Sequence, residues 1–200
     1  MRKLKGVILA VVPTLFFMGC GELSKNEVAK VSFEKLSEKE EQILSLTENR
    51  VFFYKIKDIS TDKGYKMNLY YEVYKDGEVL KNESILATVN EVYEKGKTEV
   101  TLGINIKEGN KINCLLGEEG TYSNHNYEVE EAFNEYSSIA FAGDYDLELE
   151  KGKRVCVYYA NSEGYIESDI IGMDMESERI KEIIKRNKES IFLSISVDDF

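Results

Sequence analysis

From Lys66 to Tyr74 the chain alternates without a break: Met67, Leu69, Tyr71 and Val73 fall on one side, and Asn68, Tyr70, Glu72 and Tyr74 on the other. A period of two is the signature of a β-strand with one face turned to a core. Asp76-Gly77 follows, and Glu78 to Val89 continues as strand. Asp-Gly between two such runs predicts a two-residue hairpin, because both central positions need positive φ. The pattern recurs. Arg50 to Lys57 is aromatic and β-branched. Val100, Leu102, Ile104 and Ile106 alternate up to Glu108-Gly109-Asn110, and Ile112 to Leu116 returns across that turn. Tyr145, Leu147 and Leu149 lead through Glu150-Lys151-Gly152-Lys153 into Arg154 to Ala160. Asn161-Ser162-Glu163-Gly164 leads into Tyr165 to Ile170, and Ser190 to Val197 is the last strand. Short strands at regular turn spacing predict a mainly β fold, an antiparallel β-sandwich of meander or immunoglobulin-like type.

Helical spacing appears at both ends of this array. Phe33, Leu36, Ile43, Leu44 and Thr47 predict an N-terminal helix ending near Glu48-Asn49, with Ser37 as a cap above Glu40 and Glu41. Glu128 to Asn134 reads as a helical turn. Glu176 to Lys188, with Ile180, Ile183 and Ile184 on one face, predicts a short helix before the last strand.

The beginning of the chain is of another kind. Arg2, Lys3 and Lys5 precede an almost wholly apolar run from Gly6 to Met18, and Phe17-Met18-Gly19-Cys20 closes it. The run is too short for a spanning helix, which needs roughly 20 apolar residues, and its length fits a signal h-region. This order resembles a bacterial lipoprotein signal with its lipobox. The resemblance implies cleavage between Gly19 and Cys20, a diacylglyceryl thioether on Cys20, and anchoring on the extracytoplasmic side of the cell membrane. Asn49-Arg50-Val51-Phe52-Phe53-Tyr54 after a Glu/Lys-rich segment, Tyr70 to Tyr74 followed by Lys75-Asp76-Gly77, and the end from Glu178 to Val197 resemble small uncharacterised Gram-positive lipoproteins. In those, a helix after the lipobox leads into one β-rich domain. The expected organisation is a signal peptide over 1–19, a lipidated tether over 20–32, and a single helix-plus-sandwich domain over 33–200.

The net charge is −11, and removal of Arg2, Lys3 and Lys5 with the leader makes it more negative still. Such a surface repels nucleic acid and anionic headgroups, so no nucleic-acid partner is expected. Two cysteines remain beyond Cys20. Cys114 is in phase with Ile112 and Leu116 and faces the core, whereas the face of Cys156 is ambiguous. An extracytoplasmic location permits a Cys114–Cys156 bridge, and two buried free thiols are the other reading.

Catalytic patterns are scarce. His125 is the single histidine. It lies in the polar, loop-like run Tyr122 to Tyr127, away from any G-x-S-x-G elbow. One histidine and two scattered cysteines do not make a zinc set, and no metal or cofactor is expected beyond the lipid on Cys20. Asp144-Tyr145-Asp146, Asp169 to Asp174 and Asp198-Asp199 offer oxygens to calcium as a softer alternative, whereas Asp58 to Gly64 lacks the acidic spacing and final Glu of an EF-hand loop. Thirteen tyrosines and no tryptophan carry two readings: tyrosine is a good strand former at half-buried positions, and it also serves surface recognition, since it covers area at low entropic cost. Tyr70, Tyr74, Tyr158 and Tyr159 are the candidates for an outward face. The expected function is a non-enzymatic, membrane-anchored module that binds an envelope protein or an extracellular ligand. A carboxylate-based hydrolase of wall or glycan is the alternative.

Overall fold

The computed structural model describes residues 28–46, 50–91, 96–107, 110–118, 120–130 and 135–199. Among the described residues, eleven strands and two α-helices follow in chain order: β1 Ala29–Phe33, α1 Glu38–Ser45, β2 Arg50–Ser60, β3 Tyr65–Lys75, β4 Glu78–Asn90, β5 Lys97–Lys107, β6 Lys111–Glu118, β7 Thr121–Glu128, β8 Ser137–Ala140, β9 Leu147–Leu149, β10 Val155–Asn161, α2 Glu178–Arg186 and β11 Glu189–Asp199. All strand pairs are antiparallel. Sheet A runs β7-β6-β5-β2-β1-β9, and sheet B runs β4-β3-β11-β10-β8. The two sheets face each other across one apolar core, so the sandwich expected from the alternation is the observed fold.

The predicted hairpin is present. Lys75 pairs with Glu78, and Asp76 and Gly77 have φ of 51° and 86°. Its register turns Met67, Leu69, Tyr71 and Val73 inward, where each is fully enclosed. Beside β3 lies β11, with Ile191, Leu193, Ile195 and Val197 directed to the same core.

Sheet B is covered on its other face too. There Ile180, Ile183 and Ile184 of α2 pack with Cys156, Tyr159, Phe192, Ile170 and Met175 in a second apolar cluster. Ser177 caps α2 by accepting from the Ile180 amide at 3.4 Å, and Lys185 and Arg186 sit in its negative C-terminal turn. The molecule thus has three layers over this part: sheet A, sheet B and α2.

Several expectations are corrected. Residues 29–32 are not tether, and Phe33 is not helical. Ala29 and Val31 point into the core from β1, which pairs with β2 and β9. The period-two signal there is only five residues long, between polar neighbours. The helix itself is shorter, Glu38–Ser45. Ser37 and Glu40 form the expected capping box, yet no residue of α1 is buried and Ile43 remains 55% exposed. The run around His125 is strand β7, not loop. Tyr165 to Ile170 is not strand; it is irregular chain ending in a 3-10 turn at Ser168–Ile170. Glu128 belongs to β7, and most of the helical turn expected after it lies outside the described residues, as do Gly19 and Cys20. Among the described residues no helix is long and apolar enough to cross a membrane.

Candidate functional site

Tyr70 and Tyr74 both lie on the outer face of sheet B and are half-buried, whereas Tyr158 and Tyr159 are only 1% and 0% exposed. The outward reading therefore fails for the second pair. The cause lies in β10, which is central and covered on both faces. A bulge between Cys156 and Tyr158 shifts the phase, so that Val157 and Tyr158 both turn into the inter-sheet core while Tyr159 turns toward α2.

Between Tyr70 and Tyr74 stands Glu72. Its side chain is fully buried, yet every polar demand on it is met. Oε1 accepts from the Ser194 hydroxyl at 2.8 Å and lies 3.3 Å from Nη1 of Arg154. Oε2 accepts from the Tyr74 hydroxyl at 2.8 Å. Arg154 enters from the turn before β10, reaching across β11 to β3. Its Nη1 also donates to Asn82 Oδ1 at 3.1 Å, its Nη2 lies 3.5 Å from Glu176 Oε1, and its guanidinium carbon sits 5.1 Å from the centre of the Tyr70 ring. Cation–π contact adds to the ion pair here. Asn68, Ser84 and Ser196 extend the polar ladder at 3.3–3.4 Å. α2 covers the apolar half of this sheet face, and the ladder fills the other half.

The electrostatics suit a fixed platform. Burial, then the charge of Glu72, pushes the Tyr74 hydroxyl far above its ordinary range. Glu72 is enclosed by three donors, so it cannot reach a substrate proton. What faces outward is the Tyr70 ring and the guanidinium clamped over it. Sequence reasoning missed both Glu72 and Arg154. Glu72 reads as an ordinary polar position of β3, and the partner that gives it meaning lies 82 residues further on.

The cysteines do not meet. Cys114 points into the core between the sheets and Cys156 into the cluster under α2, and both are free thiols. Sheet B lies between their two clusters, so the bridge is excluded by placement. Cys114 does stand opposite His125 in register, an arrangement that invites comparison with a cysteine–histidine dyad. The chemistry is the reverse of activation. Burial alone pushes the Cys114 thiol up to about 12, and no hydrogen bond joins the pair among the described residues. An activated nucleophile needs a lowered pKa.

The carboxylate-rich runs are also committed. Asp169 accepts from Arg179 Nε at 2.8 Å, which holds its carboxyl below the usual range. Asp146 accepts from Ser32 at 2.5 Å, and Asp199 pairs with Lys151. Glu167 is shared by Arg179 and Arg186, which ties the irregular chain before α2 to the helix. Among the described residues no group of three or more metal-ligating side chains converges.

Compared with protein-family models, with curated proteins and with solved structures, the chain gives no match.

Proposed function

We propose that this protein is a lipid-anchored, extracytoplasmic binding module of the cell envelope, without catalytic activity, that engages a protein partner through the Tyr70–Arg154 face of sheet B. The anchor rests on the basic–apolar–cysteine order ending at Cys20. The binding reading rests on one observation: a buried carboxylate holds Arg154 over the Tyr70 ring. Tyrosine and arginine are enriched where interfaces concentrate their energy. An arginine already ordered by Glu72 and Asn82 loses less side-chain entropy on docking. The acidic balance of the chain favours a partner with a basic rim around that contact.

The test is site-specific photo-crosslinking in intact cells. A photoreactive phenylalanine analogue at Tyr70 is expected to give a discrete protein adduct, and the same analogue at exposed Tyr145 none. Equal labelling from both positions, or no adduct at Tyr70, rejects this face as the interface. Fractionation of the same cells reads the anchor independently.

A further inference from the structure

The four outer strands of the two sheets are not alike. β7 and β9 border sheet A, and β4 and β8 border sheet B. An outer strand carries N–H and C=O groups along one side that another chain can pair with, unless something blunts it. β9 has three residues and β8 four. β4 is long, but its register against β3 shifts twice. It also turns Lys81 and Glu83 toward sheet A, where Lys81 pairs with Glu130 at 3.1 Å and Glu83 accepts from the Tyr127 hydroxyl. Shortness, bulges and inward-pointing charge are the devices that keep a sheet edge from pairing.

β7 has none of them. Thr121–Glu128 keeps one unbroken register against β6. It holds no proline, lysine or arginine, and its single carboxylate, Glu128, sits at the end and pairs with Lys111 at 3.1 Å. From Thr121 to Asn126 every residue is exposed. Ser123 and His125 stand opposite Leu116 and Cys114, so they face the side of sheet B, yet sheet B does not cover them. The outer side of β7 is thereby left open to another strand.

We infer that this chain dimerises through β7, two copies pairing antiparallel about a two-fold axis at Asn124 and joining their A sheets into one. The strand is complementary to itself in that register. Asn124 meets Asn124 of the second copy, Ser123 meets His125, Tyr122 meets Asn126 and Thr121 meets Tyr127. No carboxylate or ammonium falls in any of these pairs. Two chains of net charge −11 can therefore touch here without opposing like charges. The adjacent register, centred on His125, would set Tyr122 against Glu128 and one histidine against the other. A two-fold contact consumes the open edge of both copies at once, so the assembly closes at two and does not grow into a fibre. The Tyr70–Arg154 face lies on the other sheet and takes no part in this contact.

Asn124→Cys in the full-length protein sets a thiol against its own copy. Mild oxidation of intact cells should then give a covalent dimer on a non-reducing gel. Val79→Cys, exposed on β4, should give none, and neither should the unaltered chain, whose Cys114 and Cys156 are buried. In detergent micelles the full-length protein should sediment as a dimer. Asn124→Lys, which opposes two ammonium groups across the axis, should weaken that dimer by about tenfold or more and leave the urea midpoint of the fold unmoved. Tyr70→Ala should dimerise normally, which separates this contact from the binding face of sheet B. A monomer at every concentration overturns the inference, as does a dimer undiminished in Asn124→Lys. Equal crosslinking from Val79→Cys and Asn124→Cys overturns it as chance collision. A disulfide from Asn124→Cys to a different protein overturns it in favour of a strand from another partner.

Discussion

Arg154 places Nη1 3.3 Å from Oε1 of Glu72, a carboxylate whose side chain has no solvent exposure. Removing the arginine leaves that charge enclosed with only the Ser194 and Tyr74 hydroxyls for compensation. Arg154→Ala should therefore cost about 2–3 kcal/mol, somewhat below the ~3–5 of a fully buried pair because the guanidinium is partly wetted. Glu72→Gln combined with Arg154→Met keeps the acceptor and removes both charges. That double variant should lose less than Arg154→Ala alone. Urea unfolding of the three proteins decides it, and a double variant weaker than the single one contradicts the argument.

The two buried thiols make stability fall at high pH. Burial pushes Cys114 up to about 12, against about 8.5 in an unfolded chain. Burial also pushes Tyr65 up to about 12, against about 10 when unfolded. In both cases the folded state holds its proton longer. Stability is fully present below the unfolded pKa and is lost as pH rises toward the folded one. The urea midpoint should hold level to about pH 8 and fall progressively from there to about pH 11, with a shallower fall in Cys114→Ala. Iodoacetamide should leave both native thiols unmodified at pH 8 and alkylate both in urea.

Gly77 has φ of 86°, and a side chain there would meet nothing closer than the Lys185 Cα at 3.7 Å. Space is therefore not the constraint at this turn. Gly77→Val should cost about 1–3 kcal/mol through backbone strain alone. Gly77→Asn, which tolerates the left-handed region, should cost clearly less. Equal midpoints for the two variants would contradict a turn governed by its dihedrals.

Cys20→Ala should abolish incorporation of labelled palmitate and leave an uncleaved precursor or a protein released from membranes. The urea midpoint should not move, because the processing signal precedes the sandwich, whose first strand begins at Ala29. Unchanged palmitate labelling would remove the anchor from the functional reading.

What could be read in the sequence was what alternates over many residues. β3 repeats its pattern across a full strand, and the Asp76-Gly77 turn pins its register, so both faces were assigned correctly. The three isoleucines of α2 were as clear. β1 was hidden because five residues between polar neighbours carry too little periodic signal. β7 was hidden because, as an edge strand, it is polar on both faces and reads as loop. At β10, Val155 to Ala160 is apolar or aromatic throughout, so alternation carries no information. Only the bulge at Val157 decides that Tyr158 and Tyr159 face opposite clusters. The Glu72–Arg154 pair was illegible for a different reason: each residue is ordinary in its own segment, and the site exists only where the sheet brings the segments together.

β11 pairs with β3 on one side and β10 on the other, so the middle of sheet B is supplied by the strand that follows all the others in the order. A growing chain can close the β3–β4 hairpin early and lay it against the earlier strands of sheet A, but within sheet B those two strands have no further neighbour until β11 is made. The cluster under α2 must wait as well, because Phe192 belongs to it. Folding on this plan is a late, largely non-local event, with rates set by closing long loops rather than by local propensity. Until that step, sheet B lacks the strand that joins β3 to β10. Afterwards, amide exchange along β11 should be the slowest in the molecule, because that ribbon has hydrogen-bonded neighbours on both edges and packing on both faces.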